Sequence, residues 1–354
     1  MAVASPSLLA KAVRRTRALP QAEARCWRLA AGFGLATLVG YGGFPAFGYM
    51  FVLTTLILLM PPVPAPKPGQ VVQLLIIALV AVAWGAILGQ LLFRIPILGL
   101  LLLAIGLSAT FMLQVSKPAM APVASLLIIG QTFVPVLSGP TPAMGPLFFF
   151  IMAGGTIFAV SISWLVQAFF PERAAPPVPP AFTGDIGWVG LRGIMIMLPP
   201  IMLALTDSGF LPLLIKGSFL AVQAEATTAR YQARELVGST LMGGLIAFLL
   251  WTGLRLMPDL FVFALLMATV GLIIGRNLYG VTKTRQPFTF WQAAVVTMIV
   301  VVGPSVSDST FGQDANTAFM IRIGLFIALS IYAVLMVALL DEVRRMIRAR
   351  RARN

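Results

Sequence analysis

Twelve apolar runs, most of them long enough to cross a bilayer, constrain this chain more than any motif it carries. They fall at about 27–43, 46–62, 71–93, 97–115, 119–137 and 146–170, then at about 188–206, 209–224, 236–254, 259–276, 287–304 and 319–341. A hydrocarbon core of ~30 Å asks for ~20 apolar residues per helix. Runs of that length must close their backbone hydrogen bonds internally, which a helix does. The pattern therefore predicts an all-α polytopic membrane protein with about 12 transmembrane helices. The second and eighth runs are short and flanked by proline, so ten or eleven spans also fit. Composition agrees: 59% of the 354 residues are hydrophobic and 10% are charged, against roughly 25% charged in a soluble domain. The mean hydropathy is +0.96. A soluble globule could not cover that much apolar surface, which excludes soluble, disordered and fibrous classes.

The net charge of +14 invites a nucleic-acid reading, but its placement argues for topology instead. With both termini cytoplasmic, twenty of the 25 basic residues fall in inner loops and tails. Six lie before or at the first run, from Lys11 to Arg28, and six after Asp341. Arg94 and Arg255 lie in outer loops, and Arg192, Lys216 and Arg322 fall inside runs. This is a strong positive-inside bias, with anionic lipid headgroups as the expected partner and no nucleic acid. The basic N-terminal stretch lacks a cleavage site and is read as retained.

Organisation follows from spacing. Residues 1–26 form a basic cytoplasmic tail, 27–170 a first six-helix membrane repeat, and 171–187 a proline-rich cytoplasmic linker. Residues 188–341 form a second six-helix repeat and 342–354 a second basic cytoplasmic tail. An offset of 161 positions superposes Trp27 on Trp188, Gly32 on Gly193, Gly48 on Gly209, Arg94 on Arg255 and Gln131 on Gln292. Six spans return the chain to the same side, so the repeats are expected to be parallel. Gly85 with Gly89, and Gly271 with Gly275, are spaced for close helix approach.

Deep polar groups mark where chemistry can sit, because each costs several kcal/mol in hydrocarbon unless satisfied. Lys216 is the sharpest. It calls for an anion, or for a carboxylate such as Asp207. Its repeat partner is Thr55, beside Thr54. Arg192 and Arg322 lie near the ends of their runs, as charges for an entering or leaving anion or as snorkelling side chains. Gln131 and Gln292 are repeat-related amides able to contact a substrate or to bridge helices. Pro199, Pro200 and Pro212 mark the seventh and eighth runs as a cavity wall. Asp308 and Asp314 read as a solvated outer loop.

Enzyme constellations are missing from the sequence. Histidine is absent and Cys26 stands alone, so no disulfide, no metal-ligand set and no cofactor is expected. There is no phosphate-cradling loop for ATP.

The segment 229–250 carries a basic residue before a glycine-rich helix start: Arg234, then Gly238, Ser239, Thr240, Leu241 and Gly243. It resembles the signature of the fusaric acid resistance and aromatic acid exporter superfamily, which also includes plant malate channels. In the first half, Lys67 and Gln73 stand where the basic cluster would be, with Gly85 and Gly89 after them. The resemblance implies export of small organic anions, chiefly aromatic carboxylates, across a bacterial inner membrane. It also implies a periplasmic membrane fusion protein of the HlyD type as partner. With only 171–187 between the halves, the chain resembles a short, membrane-only member.

The expectation is therefore an efflux permease that is not an enzyme. Lys216 would hold the substrate carboxylate, Gln131, Gln292 and Thr55 would line the path, and Arg192 would load it. A homodimer is compatible with this. The alternatives are a passive anion channel and a non-transporting membrane subunit that anchors a partner complex.

Overall fold

The computed structural model describes residues 19–117, 120–138, 144–173, 185–226, 229–310 and 315–351. Among them are twelve α-helices and no strand. They are α1 (Gln21–Gly43), α2 (Gly48–Leu59), α3 (Pro68–Arg94), α4 (Pro96–Ser116), α5 (Ala121–Ser138) and α6 (Met144–Phe169). Then follow α7 (Ile186–Thr206), α8 (Leu211–Ala226), α9 (Ala229–Leu256), α10 (Leu260–Leu278), α11 (Phe288–Thr310) and α12 (Ala315–Arg351). Each apolar run thus becomes one helix. Eight of them, α3, α4, α6, α7 and α9 to α12, contain segments long and apolar enough to cross a membrane, while α2, α5 and α8 are apolar but shorter. This is the make-up of a multi-pass membrane protein.

Two helix ends differ from those the sequence suggests, those of α11 and α12. Of the expected linker, 174–184 lies outside the described residues, as does 1–18 of the first tail. The stretch read as the second tail is largely helical: α12 runs on through Arg351. Its 37 residues span ~55 Å, well beyond a hydrocarbon core. Finally, α11 continues to Thr310, so Asp308 is helical rather than in a loop. Pro304 removes one backbone donor there. Ser305, Ser307 and Ser309 bond back to the carbonyls of Val301, Gly303 and Val306 and hold the last turns. Asp314 lies outside the described residues.

The chain forms two compact units. The first comprises residues up to Val71, Gly154–Val178 and Leu250–Gln292. In it α1 packs against α10 and α2. Glycine makes the α1–α10 crossing possible. A methyl on Gly271 would lie 3.1 Å from the Ala30 Cα, and one on Gly275 would lie 3.2 Å from the Cys26 Cα. At one end of this unit Glu172, after α6, pairs with Arg25 at 2.7 Å and Arg28 at 3.1 Å, and Gln21 donates to it at 3.0 Å. Tyr279 donates to the Met60 carbonyl at 2.9 Å.

The second unit holds Val72–Ala153, Pro179–Leu249 and the chain from Ala293 onward. Here α7 packs against α4 and α8, α5 against α4, and α12 against α7 and α8. Two glycine contacts set the backbone spacing. A methyl on Gly85 of α3 would collide with the Gly130 carbonyl of α5, and one on Gly243 of α9 with the Ala294 carbonyl of α11. The spaced glycines singled out in the sequence thus serve close packing. In the first unit α1 and α10 run antiparallel, with Cys26 beside Gly275 and Gly34 beside Ala268. In α1 and α10 the register joins Ala30 to Gly271, and in α7 and α4 it joins Gly190 to Ser108 and Met112.

Candidate functional site

Lys216 lies on α8 and is 1% exposed. Its neighbours Leu213, Leu214 and Ile215 are buried, so the ammonium cannot snorkel to water along its own helix. Nζ donates one hydrogen bond, to Thr297 Oγ1 on α11 at 2.7 Å. The Thr297 hydroxyl in turn donates to the Ala293 carbonyl at 2.7 Å. Asp207 does not pair with Lys216: its Oδ1 accepts from the Gly209 backbone at 2.8 Å. Among the described residues no carboxylate forms an ion pair with Lys216. An ammonium has three donors, and a single neutral hydroxyl leaves its charge uncompensated in an apolar surround.

The surroundings of this pair are built by close backbone approach. A methyl on Gly217 would lie 3.0 Å from the Pro200 ring and 3.0 Å from the Met197 sulfur, so α7 presses on α8 beside Lys216. Pro199 and Pro200 sit inside an unbroken α7. Pro212 occupies the first turn of α8, where its missing N–H costs nothing. α7 and α8 pack together as continuous helices, without the break that Pro199 and Pro200 suggest in the sequence. From the other side, a methyl on Gly243 would lie 2.6 Å from the Thr297 Cβ. Ser239 and Thr240 are buried, and Thr240 shares a 2.7 Å hydrogen bond with Ser330 of α12. The glycine-rich segment therefore fixes α9 against the helix that holds the Lys216 partner.

Arg192 is 8% exposed and forms an ion pair with Asp341 of α12 through Nη2. It is a buried, compensated charge. One turn away in space, Arg344 pairs with Asp185 at 3.3 Å and lies 5.5 Å over the Trp188 ring. Tyr332 ties the middle of α12 to α7 through the Met195 carbonyl at 2.9 Å. Arg322, near the start of α12, donates to Ser305 at 3.0 Å and pairs with Asp308 at 2.7 Å.

Gln131 is 3% exposed and its amide donates to Thr110 of α4 at 2.8 Å. Its Oε1 is buried without a hydrogen-bond partner and packs on Gly106. Gln131 is thus a bridge between α5 and α4, and α5 also packs against α8. Thr55 is fully buried and returns its hydroxyl to the Phe51 carbonyl at 2.8 Å. Gln292 is half-buried. Lys216, Arg192 and Gln131 belong to the second unit, whereas Thr55 and Gln292 belong to the first.

The sequence alone did not point to Thr297, Asp341 or Glu172. Thr297 was visible as the one hydroxyl in the middle of a Val-, Ile- and Met-rich run, yet nothing local links it to Lys216. The buried Glu235, 4% exposed, also carries no signal in the sequence, standing one residue before the apolar run at 236–254. No group of acidic, cysteine or histidine side chains suited to a metal occurs among the described residues. No protein-family model matches the chain, and no curated protein or solved structure matches it.

Proposed function

We propose that this chain is a bacterial inner-membrane efflux permease for small organic anions, with aromatic carboxylates as the substrate class suggested by the 229–250 signature. The observation that carries the reading is Lys216, a buried amine whose one hydrogen-bond partner among the described residues is a hydroxyl. A carboxylate arriving at Nζ supplies the missing counter-charge, which is the differential interaction a transport site requires. Arg192 is the inner loading charge, exchanging Asp341 for substrate. Gln131 stands on α5, which packs against α8, as an amide contact.

The twelve-span, two-repeat architecture belongs to the same proposal. Its support is the division into six and six helices and the crossings α1–α10 and α7–α4 in the two units. The charge asymmetry supports cytoplasmic termini. A periplasmic fusion protein of the HlyD type and a homodimer remain the proposed partners, with anionic lipid around the basic inner face.

The test is accumulation of radiolabelled 4-hydroxybenzoate and fusaric acid in cells with and without the protein, each with and without an uncoupler. Energised efflux lowers accumulation, and the uncoupler restores it. An uncoupler-insensitive anion conductance replaces the permease with a channel. Equal accumulation for both acids, with the protein present in the membrane, removes the proposed substrate class.

A further inference from the structure

We propose that Arg322, near the start of α12 and well away along that helix from the Arg192–Asp341 pair, is a second carboxylate-binding station, which takes the organic anion released by Lys216. The inference rests on the permease reading and adds a site to it. Helix α11 carries two similar devices. At Thr297 a hydroxyl bonds back to the Ala293 carbonyl and accepts from Lys216. At Ser305 a hydroxyl bonds back to the Val301 carbonyl at 2.9 Å and accepts from Arg322. The two hydroxyls are eight residues apart, or ~12 Å along the helix.

Arg322 is unevenly used. Its Nη1 serves both Ser305 and Asp308. Its Nε and Nη2 make no hydrogen bond with a described residue, and neither is sealed from solvent. The side chain as a whole is only 14% exposed, so it is held in place rather than extended into water. The Nε–Nη2 edge of a guanidinium is a planar fork that matches a carboxylate with two parallel hydrogen bonds. Asp308 lies close in charge but poor in alignment: its Oδ2 is 2.7 Å from Nη1 yet has no hydrogen bond of acceptable geometry. Its negative charge beside the fork weakens anion binding there, which suits a station from which the anion must leave.

The test is equilibrium binding of radiolabelled 4-hydroxybenzoate to the purified full-length protein. Asp308→Asn keeps the shape and removes the competing charge. It should tighten Arg322-dependent binding by ~5-fold or more. Asp308→Asn with Arg322→Lys should lose most of the gain, because an ammonium lacks the fork, and Asp308→Asn with Arg322→Gln should lose it entirely. Unchanged affinity in Asp308→Asn, or a gain that survives Arg322→Gln, overturns the station. Adding Lys216→Met separates this proposal from the permease reading. Loss of wild-type binding in that variant with an intact Arg322-dependent gain supports two sites. Persistence of wild-type binding removes Lys216 as the anchor and leaves the Arg322 gain to decide the station by itself.

Discussion

Lys216 and Thr297 meet at 2.7 Å across 81 residues of sequence. The hydroxyl there is already committed to its own helix through Ala293. The Lys216 amine thus sits in a buried setting where, among the described residues, a neutral oxygen is its one hydrogen-bond partner. A structural lysine is normally paired with a carboxylate when it is buried this completely.

Replacing Lys216 with Met removes a buried charge and retains much of the volume. Purified Lys216→Met should have a Tm equal to or above that of the wild type, by up to a few degrees, because no partner carboxylate is stranded. A drop of several degrees would show that Lys216 holds the fold together, as a non-transporting subunit would require.

Thr297→Val is close in shape and lacks the acceptor. It should lower stability by about 1–3 kcal/mol, because Lys216 loses its one hydrogen bond. In the Lys216→Met background the same change should cost much less, and thermal unfolding of the four proteins gives the coupling. Additive effects would mean that the bond contributes nothing.

Neighbouring glycines predict opposite outcomes. A methyl on Gly243 meets a carbonyl and Thr297, whereas on Gly244 the nearest atom is Ile323 Cγ2 at 4.0 Å. Gly243→Ala should therefore cost about 1–3 kcal/mol and reduce folded yield, while Gly244→Ala is tolerated. Size-exclusion profiles of detergent-solubilised protein distinguish them, and equal behaviour of the two would contradict the close α9–α11 approach.

Breaking an ion pair on one side strands the other charge. Asp341→Asn removes the ion pair of the buried Arg192 with Asp341, and Glu172→Gln removes that of Arg28, which is 1% exposed, with Glu172. Each should cost about 3–5 kcal/mol. Combining Asp341→Asn with Arg192→Gln should recover part of the loss, as read from membrane abundance and Tm. No recovery would mean that Arg192 draws its stabilisation from elsewhere.

The helices were legible in the sequence because apolar length is a local property, and α3, α4 and α10 begin and end close to their runs. The ends were harder to read where polar residues continue a helix. Arg345 bonds to Glu342 one turn earlier and Arg344 to Asp185, which carries α12 through a stretch that reads as a tail. Serine back-bonding does the same for α11. Lys216 was legible as a charge inside an apolar run. Its partner was not, and neither were the pairings of Arg192 with Asp341 across 149 residues and of Arg28 with Glu172 across 144. Those depend on which helices pack together, and single-sequence periodicity does not carry that information. Gln131 was visible as a buried amide, but its use as a bridge to Thr110 required the α4–α5 contact.

The central claim is that Lys216 holds the exported anion. The most direct measurement is efflux of preloaded radiolabelled 4-hydroxybenzoate from energised cells carrying wild type or Lys216→Met at matched membrane abundance. The account predicts rapid efflux for the wild type and a rate indistinguishable from protein-free cells for the variant. Wild-type efflux rates in Lys216→Met would contradict it.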